Sequence, residues 1–208
     1  MLIRKEEEKD YFIVENLTRE AFWNVYHPGA TEHLVLHNAR SKDDFIKDLD
    51  LVLVDDEDND KIIGHIMYTI SKITCDDGTV EKVLCFGPVS IDPNYQHKGY
   101  GSLLINHSYE IASKLNYPCI VIEGNINFYK HVGFIYARDY NVFYNGMDRE
   151  LDQSFLLIKV FDEEKMNDIK NKKGTFIDSD LYFDVDDIDE FDKKFPHKVK
   201  EKREGQLD

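Results

Sequence analysis

The chain has 208 residues and a formal net charge of −15, with 41 acidic residues against 26 Lys and Arg. This length fits one domain, or one domain with an appendage, and it is ample to bury a core. The acidic balance argues against non-specific nucleic-acid binding, which needs a basic surface. It permits a cationic substrate such as an amine, but the simpler interpretation is that spread acidic charge keeps the protein soluble.

The apolar segments and the cysteines indicate the cellular compartment in which the protein is expected. No apolar run approaches the roughly 18 residues of a membrane helix, and residues 1–8 lack the apolar stretch of a secretory signal. The three cysteines form an odd, scattered set, and Cys85 and Cys119 lie inside apolar runs that are typical of reduced core residues. We therefore expect a cytoplasmic protein of bacterial type, with no membrane or nucleic-acid partner.

The N-terminal part predicts a short edge strand, two helices and a β-hairpin. Ile13, Leu17 and Ala21 have the spacing of one apolar helical face. Gly64 is a candidate bulge in the second hairpin strand. In chain order, these elements are predicted at residues 2–4, about 6–23, about 31–40, 51–54 and 62–73.

The middle of the chain predicts a right-handed crossover between two parallel strands. The run Asp76-Asp77-Gly78 is a strong turn signal, and a strand, a helix and a second strand follow it. The second strand is wholly apolar, as expected for a central parallel strand. These three elements are predicted at 83–91, about 99–115 and 119–122, and they precede a short helix at 125–133 and strands at 137–144 and 153–160.

The C-terminal residues change in character after Phe161. Residues 162–174 are charged, and part of this segment is predicted to be helical. Residues 178–192 are acidic with interspersed aromatic side chains. The aromatic residues argue against a purely disordered tail. We therefore expect a domain at 1–160 and an acidic extension at 161–208 that packs on it, with a frayed end from about residue 198.

One stretch joins a strand to a helix through a short loop with two glycines. It spans residues 89–102 and carries Gly99 and Gly101, with Lys98 beside them. The first turn of a helix has unpaired N–H groups and the positive end of the helix dipole, and glycine lets a ligand approach closely. The loop therefore predicts an anion site, most plausibly for phosphate. The Walker pattern is absent, and the dinucleotide pattern fails because Leu104 replaces its third glycine.

The pattern Gln96-x-x-Gly99-x-Gly101, after a strand with Val89 and Ile91, resembles the acetyl-CoA loop of the GNAT N-acetyltransferase superfamily. The run Tyr129-x-x-x-Gly133-Phe134 is a second match at the expected distance. The resemblance covers residues 1–160. It implies an α/β (α+β) fold with a mixed, centrally split β-sheet flanked by helices, open between the fourth and fifth strands.

The resemblance also implies acetyl-CoA as the co-substrate, with no metal. The pantetheine arm would lie in the split and bond to the backbone of Val89 and Ile91, and the pyrophosphate would bind N–H groups from His97 to Ser102. The expected cofactor contacts are Val89, Ser90, Ile91, Gln96, His97, Lys98, Gly99, Tyr100, Gly101, Ser102 and Asn125. The acetyl group would move directly to a primary amine of a small molecule or peptide. Dimers are frequent in the family, so a monomer and a homodimer both stay open.

Two residues are expected to carry the proton transfers. Tyr129 matches the family's tyrosine, and a phenol with an unperturbed pKa of about 10 can protonate the leaving thiolate. Glu123 is the candidate base by its position at a strand end, and it fits a surface residue equally well. Many members have Asn seven residues before the tyrosine, where this chain has Ile122, so Asn125 or Asn127 would substitute.

Other interpretations stay open. A non-catalytic acyl-CoA-binding module is the main alternative, and an interaction protein that uses its acidic tail is a weaker one. His33 and His37 have metal-ligand spacing on a predicted helix. No third ligand is evident beside them, so two ordinary, partly exposed histidines are favoured.

Overall fold

The computed structural model describes residues 1–206, and residues 207 and 208, at the predicted frayed end, lie outside that part. The described chain has an α/β fold with one mixed sheet. Its strands are β1 Leu2–Lys5, β2 Leu51–Asp55, β3 Lys61–Cys75, β4 Val80–Ile91, β5 Cys119–Glu123, β6 Ile135–Tyr136, β7 Val142–Tyr144, β8 Leu156–Val160 and β9 Gly174–Ile177. Its α-helices are α1 Tyr11–Phe22, α2 Glu32–Ala39, α3 Tyr100–Ala112, α4 Ile126–Tyr129, α5 Glu163–Lys172 and α6 Ile188–Phe191.

The strand order confirms the mixed sheet. It runs β1-β2-β3-β4-β5-β8-β6, and β9 pairs with both β3 and β7. The predicted hairpin is present, because β2 and β3 pair antiparallel. The predicted crossover is also present, because β4 and β5 pair in parallel at Leu84 and Ile120.

The chain divides into two compact units. Unit 1 contains Met1–Met67, Pro88–Leu104 and the residues from Asp180 onward. Its core lies where the apolar faces of α1 and α2 meet strand β2, since each of these elements presents one apolar side. The buried side chains of this core include Val14, Leu36, Val52, Val54 and Met67.

Unit 2 contains Tyr68–Gly87 and Ile105–Ser179. Its centre is β5, whose residues 119–122 are buried on both faces of the strand, as the continuous apolar run predicts. β5 pairs with β8 along its whole length, from Cys119 opposite Val160 to Glu123 opposite Leu156. Residues 1–206 contain no helix with the length and apolar character needed to cross a bilayer.

The sequence misplaces the start of one strand and misses another strand. The predicted strand at 137–144 begins instead as a 3-10 turn, Ala137–Tyr140, because Asn141 adopts a left-handed φ of +52° and only then does β7 start. Strand β9 was not predicted. Lys173, with φ +58°, turns the chain directly from α5 into this four-residue strand, which is too short for a periodic signal.

The C-terminal residues of unit 1 lie on α1 and α2. The guanidinium of Arg19 donates to both carboxylate oxygens of Asp192, at 2.6 and 3.1 Å, and Arg19 is fully buried. Trp23 Nε1 donates to the carbonyl of Val199 at 3.0 Å, and Asn24 accepts from the N–H of Glu201 at 3.0 Å. Residues of the extension are therefore held by specific polar contacts as well as by aromatic packing.

The expectation of two partly exposed histidines on α2 is wrong for His33. Its ring is fully buried, with Nε2 3.2 Å from Asp192 Oδ1, and burial lowers its pKa to about 4. His37 is exposed and bonds through Nδ1 to Glu15 at 2.8 Å. Both rings pack against Phe191 of the extension, at centroid distances of 5.5 and 4.6 Å, but only His33 is enclosed by it.

Candidate active site

The loop after β4 turns twice through the left-handed region of φ. Asp92 Oδ1 accepts from the N–H of Asn94 at 2.9 Å and starts a 3-10 turn at Pro93–Tyr95. His97 and Gly99 then have φ of +61° and +86°, on either side of Lys98. Helix α3 begins immediately afterwards, so its first backbone N–H groups follow this double turn and have no acceptor within the helix.

Side chains of the loop brace it from within unit 1. Gln96 Nε2 donates to the carbonyl of Ile91 at 3.1 Å, and Lys98 Nζ donates to the carbonyl of Asn94 at 2.8 Å. His97, Lys98 and Gly99 are exposed. The loop therefore presents backbone and one ammonium group to solvent, which is the chemistry that binds phosphate oxygens.

At the end of β4, successive side chains alternate between buried and half-buried positions. Ser90 is fully buried, and its Oγ donates to Thr18 Oγ1 at 2.9 Å, while Val89 and Ile91 are half-buried. A Cβ on Gly64 would lie 2.8 Å from Ile91 Cδ1, so a larger residue at position 64 would require the Ile91 side chain to shift. The register of β2 and β3 shifts next to Gly64, in agreement with the predicted bulge.

Tyr129 sits at the end of α4 in unit 2, in an aromatic cluster. The side-chain oxygen of Asn125 caps α4 by accepting from the N–H of Asn127 at 2.9 Å. The Tyr129 ring is edge-to-face with Phe128 and with Phe134, at centroid distances of 4.9 and 5.6 Å. Its ring is half-buried, so packing fixes its orientation.

Gly124 explains how the tyrosine ring reaches its position. A Cβ at Gly124 would lie 2.4 Å from the Tyr129 ring, which no real side chain tolerates. The ring therefore lies directly against the backbone one residue beyond Glu123. Gly133, with φ +91°, ends the short helical segment after Tyr129, as the sequence predicts.

Glu123 is exposed at the end of β5, and two residues that sequence reasoning missed lie beside it. Tyr144 Oη lies 3.5 Å from Asp178 Oδ2, and the carboxylate of Glu123 acts on the pKa of both groups. Burial, followed by the charge of Glu123, raises the pKa of Asp178 to about 7. Burial and the same carboxylates raise the pKa of Tyr144. No motif marks either residue, and their proximity depends on the unpredicted strand β9.

The sequence-predicted residues fall into two groups. Residues 89–91 and 96–102 belong to unit 1, whereas Glu123, Asn125 and Tyr129 belong to unit 2. Within unit 1, the Gln96 bond to Ile91 brings the loop and the end of β4 together. Within unit 2, the short α4 and Gly124 bring Tyr129 next to Glu123.

A second polar cluster in unit 1 joins Glu6, Asp50 and His65. Their potential ligand atoms lie within 4.8 Å of one another, and His65 Nε2 is 2.8 Å from Asp50 Oδ1. Arg40 already bonds both oxygens of Glu6, at 2.9 and 2.7 Å. The guanidinium therefore supplies the positive charge that this buried carboxylate needs, and the arrangement is a structural network joining β1, β2, β3 and α2.

The family model for GNAT acetyltransferases matches residues 11–134, which include the loop, Glu123 and Tyr129. The chain belongs to the GNAT acetyltransferase family. The resemblance of the loop and of the Tyr129 motif to this family is thereby confirmed. Among curated proteins, none matches the sequence of this chain.

Solved GNAT structures share the fold. The YhbS N-acetyltransferase of Escherichia coli, in complex with CoA, is 19% identical with a TM-score of 0.71, covering 88% of this chain and 91% of its own. A Brucella melitensis GNAT acetyltransferase, in complex with acetyl-CoA, is 20% identical with a TM-score of 0.65, covering 87% and 97%. Chaetomium thermophilum Naa20, in complex with a bisubstrate analogue, is 16% identical with a TM-score of 0.52, covering 83% and 92%. At these identities, the likeness establishes the fold alone.

Proposed function

We propose that this GNAT family member transfers an acetyl group from acetyl-CoA directly to a primary amine. The observation that carries the proposal is the double left-handed turn at His97 and Gly99, which leads into the first turn of α3. The complexes of the E. coli and B. melitensis structures with CoA and acetyl-CoA support it, because those chains share this fold.

The cofactor binds mainly through backbone groups in this proposal. The pyrophosphate accepts from N–H groups between His97 and Ser102, and Lys98 adds positive charge. The pantetheine arm bonds to the backbone of Val89 and Ile91. Ser90 contributes only its backbone, because its hydroxyl is turned inward to Thr18. Asn125 takes part through its amide nitrogen, since its oxygen caps α4.

Glu123 and Tyr129 carry the protons. The Glu123 carboxylate accepts one proton from the ammonium form of the acceptor, and the neutral nitrogen attacks the thioester carbonyl carbon. A backbone N–H near Val89 stabilises the oxyanion. The C–S bond breaks, the thiolate takes a proton from Tyr129, and the second proton lost from the nitrogen restores the Tyr129 phenol. The products are the amide and free CoA, with one proton released to solvent.

The test is a panel of acceptors matched in shape. We expect acetyl-CoA to be consumed with a primary amine such as phenethylamine, spermidine or a peptide with a free N-terminus. The matched controls are N,N-dimethylphenethylamine, which cannot form a neutral amide, and 2-phenylethanol, which would report transfer to oxygen. Free CoA and the acetylated product are measured together by mass spectrometry.

The outcomes separate this proposal from its alternative. If acetyl-CoA is consumed with primary amines and with neither control, the result supports transfer to an amine. Consumption of acetyl-CoA with 2-phenylethanol contradicts it. Tight CoA binding without any turnover identifies a non-catalytic acyl-CoA-binding module. A folded protein that binds neither CoA nor acetyl-CoA contradicts both interpretations.

A further inference from the structure

Three side chains from separate strands of unit 2 converge beside Gly124. Glu123 is the last residue of β5, Tyr144 is the last residue of β7, and Asp178 directly follows β9. The parallel pairing of β7 with β9 sets Tyr144 opposite Phe176, which brings Asp178 to the same end of these strands. Tyr144 Oη lies 3.5 Å from Asp178 Oδ2, a long hydrogen bond.

The environment of Asp178 favours its protonated form. Asp178 is partly buried and lies close enough to Glu123 to be affected by its charge, so an ionised Asp178 would face a like charge. Burial and Glu123 raise the pKa of Asp178 to about 7. Tyr144 and the Cys85 thiol of β4 oppose this by hydrogen-bonding to Asp178. The phenol of Tyr144 stays protonated, because burial and both carboxylates raise its pKa.

The cluster is physically continuous with the tyrosine of the family motif. Gly124 follows Glu123, and its missing side chain is what admits the Tyr129 ring. The N–H of Gly124 donates to the carbonyl of Phe155 at 2.8 Å, and the Phe155 ring is edge-to-face with Tyr144 at 5.5 Å. Glu123 is thus one residue from the backbone that the Tyr129 ring contacts, and Phe155 joins that backbone to Tyr144.

We propose that Asp178 and Tyr144 are positioning residues that act through Glu123, orienting its carboxylate and deciding when it accepts the proton of the acceptor amine. This inference rests on the proposed function. While Asp178 is protonated, its carboxyl hydrogen competes with the acceptor amine for the Glu123 carboxylate. Once Asp178 has lost that proton, the Glu123 carboxylate is left to the acceptor amine, and the Tyr144 hydroxyl holds Asp178 in place. The reaction itself is unchanged, and neither positioning residue touches the acetyl group.

The test is the pH profile of kcat/KM for wild type, Asp178→Asn and Tyr144→Phe, with a panel amine whose own pKa exceeds about 9. We expect wild-type kcat/KM to rise through pH 7, where Asp178 loses its proton, and we expect this rise to be lost in Asp178→Asn. Tyr144→Phe should lower kcat roughly 10-fold and leave the Kd for CoA unchanged. Asp168→Asn, which changes an exposed carboxylate in the same unit, should leave the profile in place.

Carbon-detected NMR titration of the carboxyl groups gives a readout that is independent of turnover. In wild type, Asp178 should titrate near pH 7, and in Glu123→Gln, which removes the neighbouring charge, its titration should move to lower pH. A rise of kcat/KM near pH 7 that persists in Asp178→Asn, or an Asp178 titration that does not respond to Glu123→Gln, overturns this inference alone. Absence of turnover with every amine overturns the proposed function together with it.

Discussion

The ring of Tyr129 lies against Gly124, and its hydroxyl is the proposed proton donor, so substitutions at these two residues test the site directly. Tyr129→Phe keeps the ring that packs against Phe128 and Phe134 and removes only the hydroxyl. We expect kcat for acetyl transfer to fall about 100-fold, the lower range for a lost general acid, with the folded structure retained. Tyr136→Phe, which removes an exposed hydroxyl from β6, is the matched control and should keep full activity. Equal rates for the two variants would rule out Tyr129 as the proton donor.

Gly124→Ala tests the placement of the same ring from the opposite side. The new Cβ would meet the Tyr129 ring at 2.4 Å, so the ring must move and kcat should fall at least as far as in Tyr129→Phe. In a Tyr129→Ala background, the same methyl group has room, and adding Gly124→Ala should change stability little. Chemical denaturation of the single and double variants measures this coupling. Additive effects would show that Gly124 and Tyr129 are not in contact.

At the scale of an element, the loop before α3 depends on backbone conformation more than on side chains. Gly99 has φ +86° with open space around it, so Gly99→Ala adds only the cost of a left-handed alanine, about 1–2 kcal/mol. We expect the Kd for CoA, measured by calorimetry, to rise about 10-fold. The reason is that the alanine must adopt the unfavourable left-handed conformation whenever the loop binds CoA. Gly146→Ala carries the same strain at φ +77° in unit 2 and should leave the Kd unchanged. An equal Kd in both variants would mean that the loop does not bind CoA.

The C-terminal segment of unit 1 is a second element whose contribution can be measured. Asp192 is the near carboxylate partner of Arg19, which is fully buried, and Glu20, half-exposed and 3.5 Å away, is the other. Asp192→Asn therefore leaves a buried charge with only this more distant, more solvated partner. We expect the free energy of unfolding to fall by about 3 kcal/mol, the size seen when one partner of a buried pair is removed. Asp189→Asn breaks an exposed pair with Lys200 in the same segment and should change stability by less than about 1 kcal/mol. Similar midpoints of denaturation for the two variants would contradict this role of Asp192.

For the whole molecule, the sequence predicts what depends on local pattern. The wholly apolar β5, the hairpin of β2 and β3 and the glycine that ends the helical segment after Tyr129 all follow from runs, turns and positive φ. The burial of His33 does not follow from such local patterns, because its partner Asp192 lies far along the chain. Asp178 and Tyr144 were missed for the same reason, since only the pairing of β7 with β9 brings them together. Long-range pairing of short strands leaves no periodic signal in the sequence.

The central claim is direct transfer from the thioester to an amine nitrogen. The most direct measurement supplies acetyl-CoA labelled with carbon-13 in the acetyl group, quenches a single turnover, and follows the label in amine and protein by mass spectrometry. Direct transfer predicts one labelled amide for each free thiol and no labelled protein at any time. Label that passes through a side chain such as Cys85, or acetyl-CoA that stays intact on a protein that binds it, would contradict the claim.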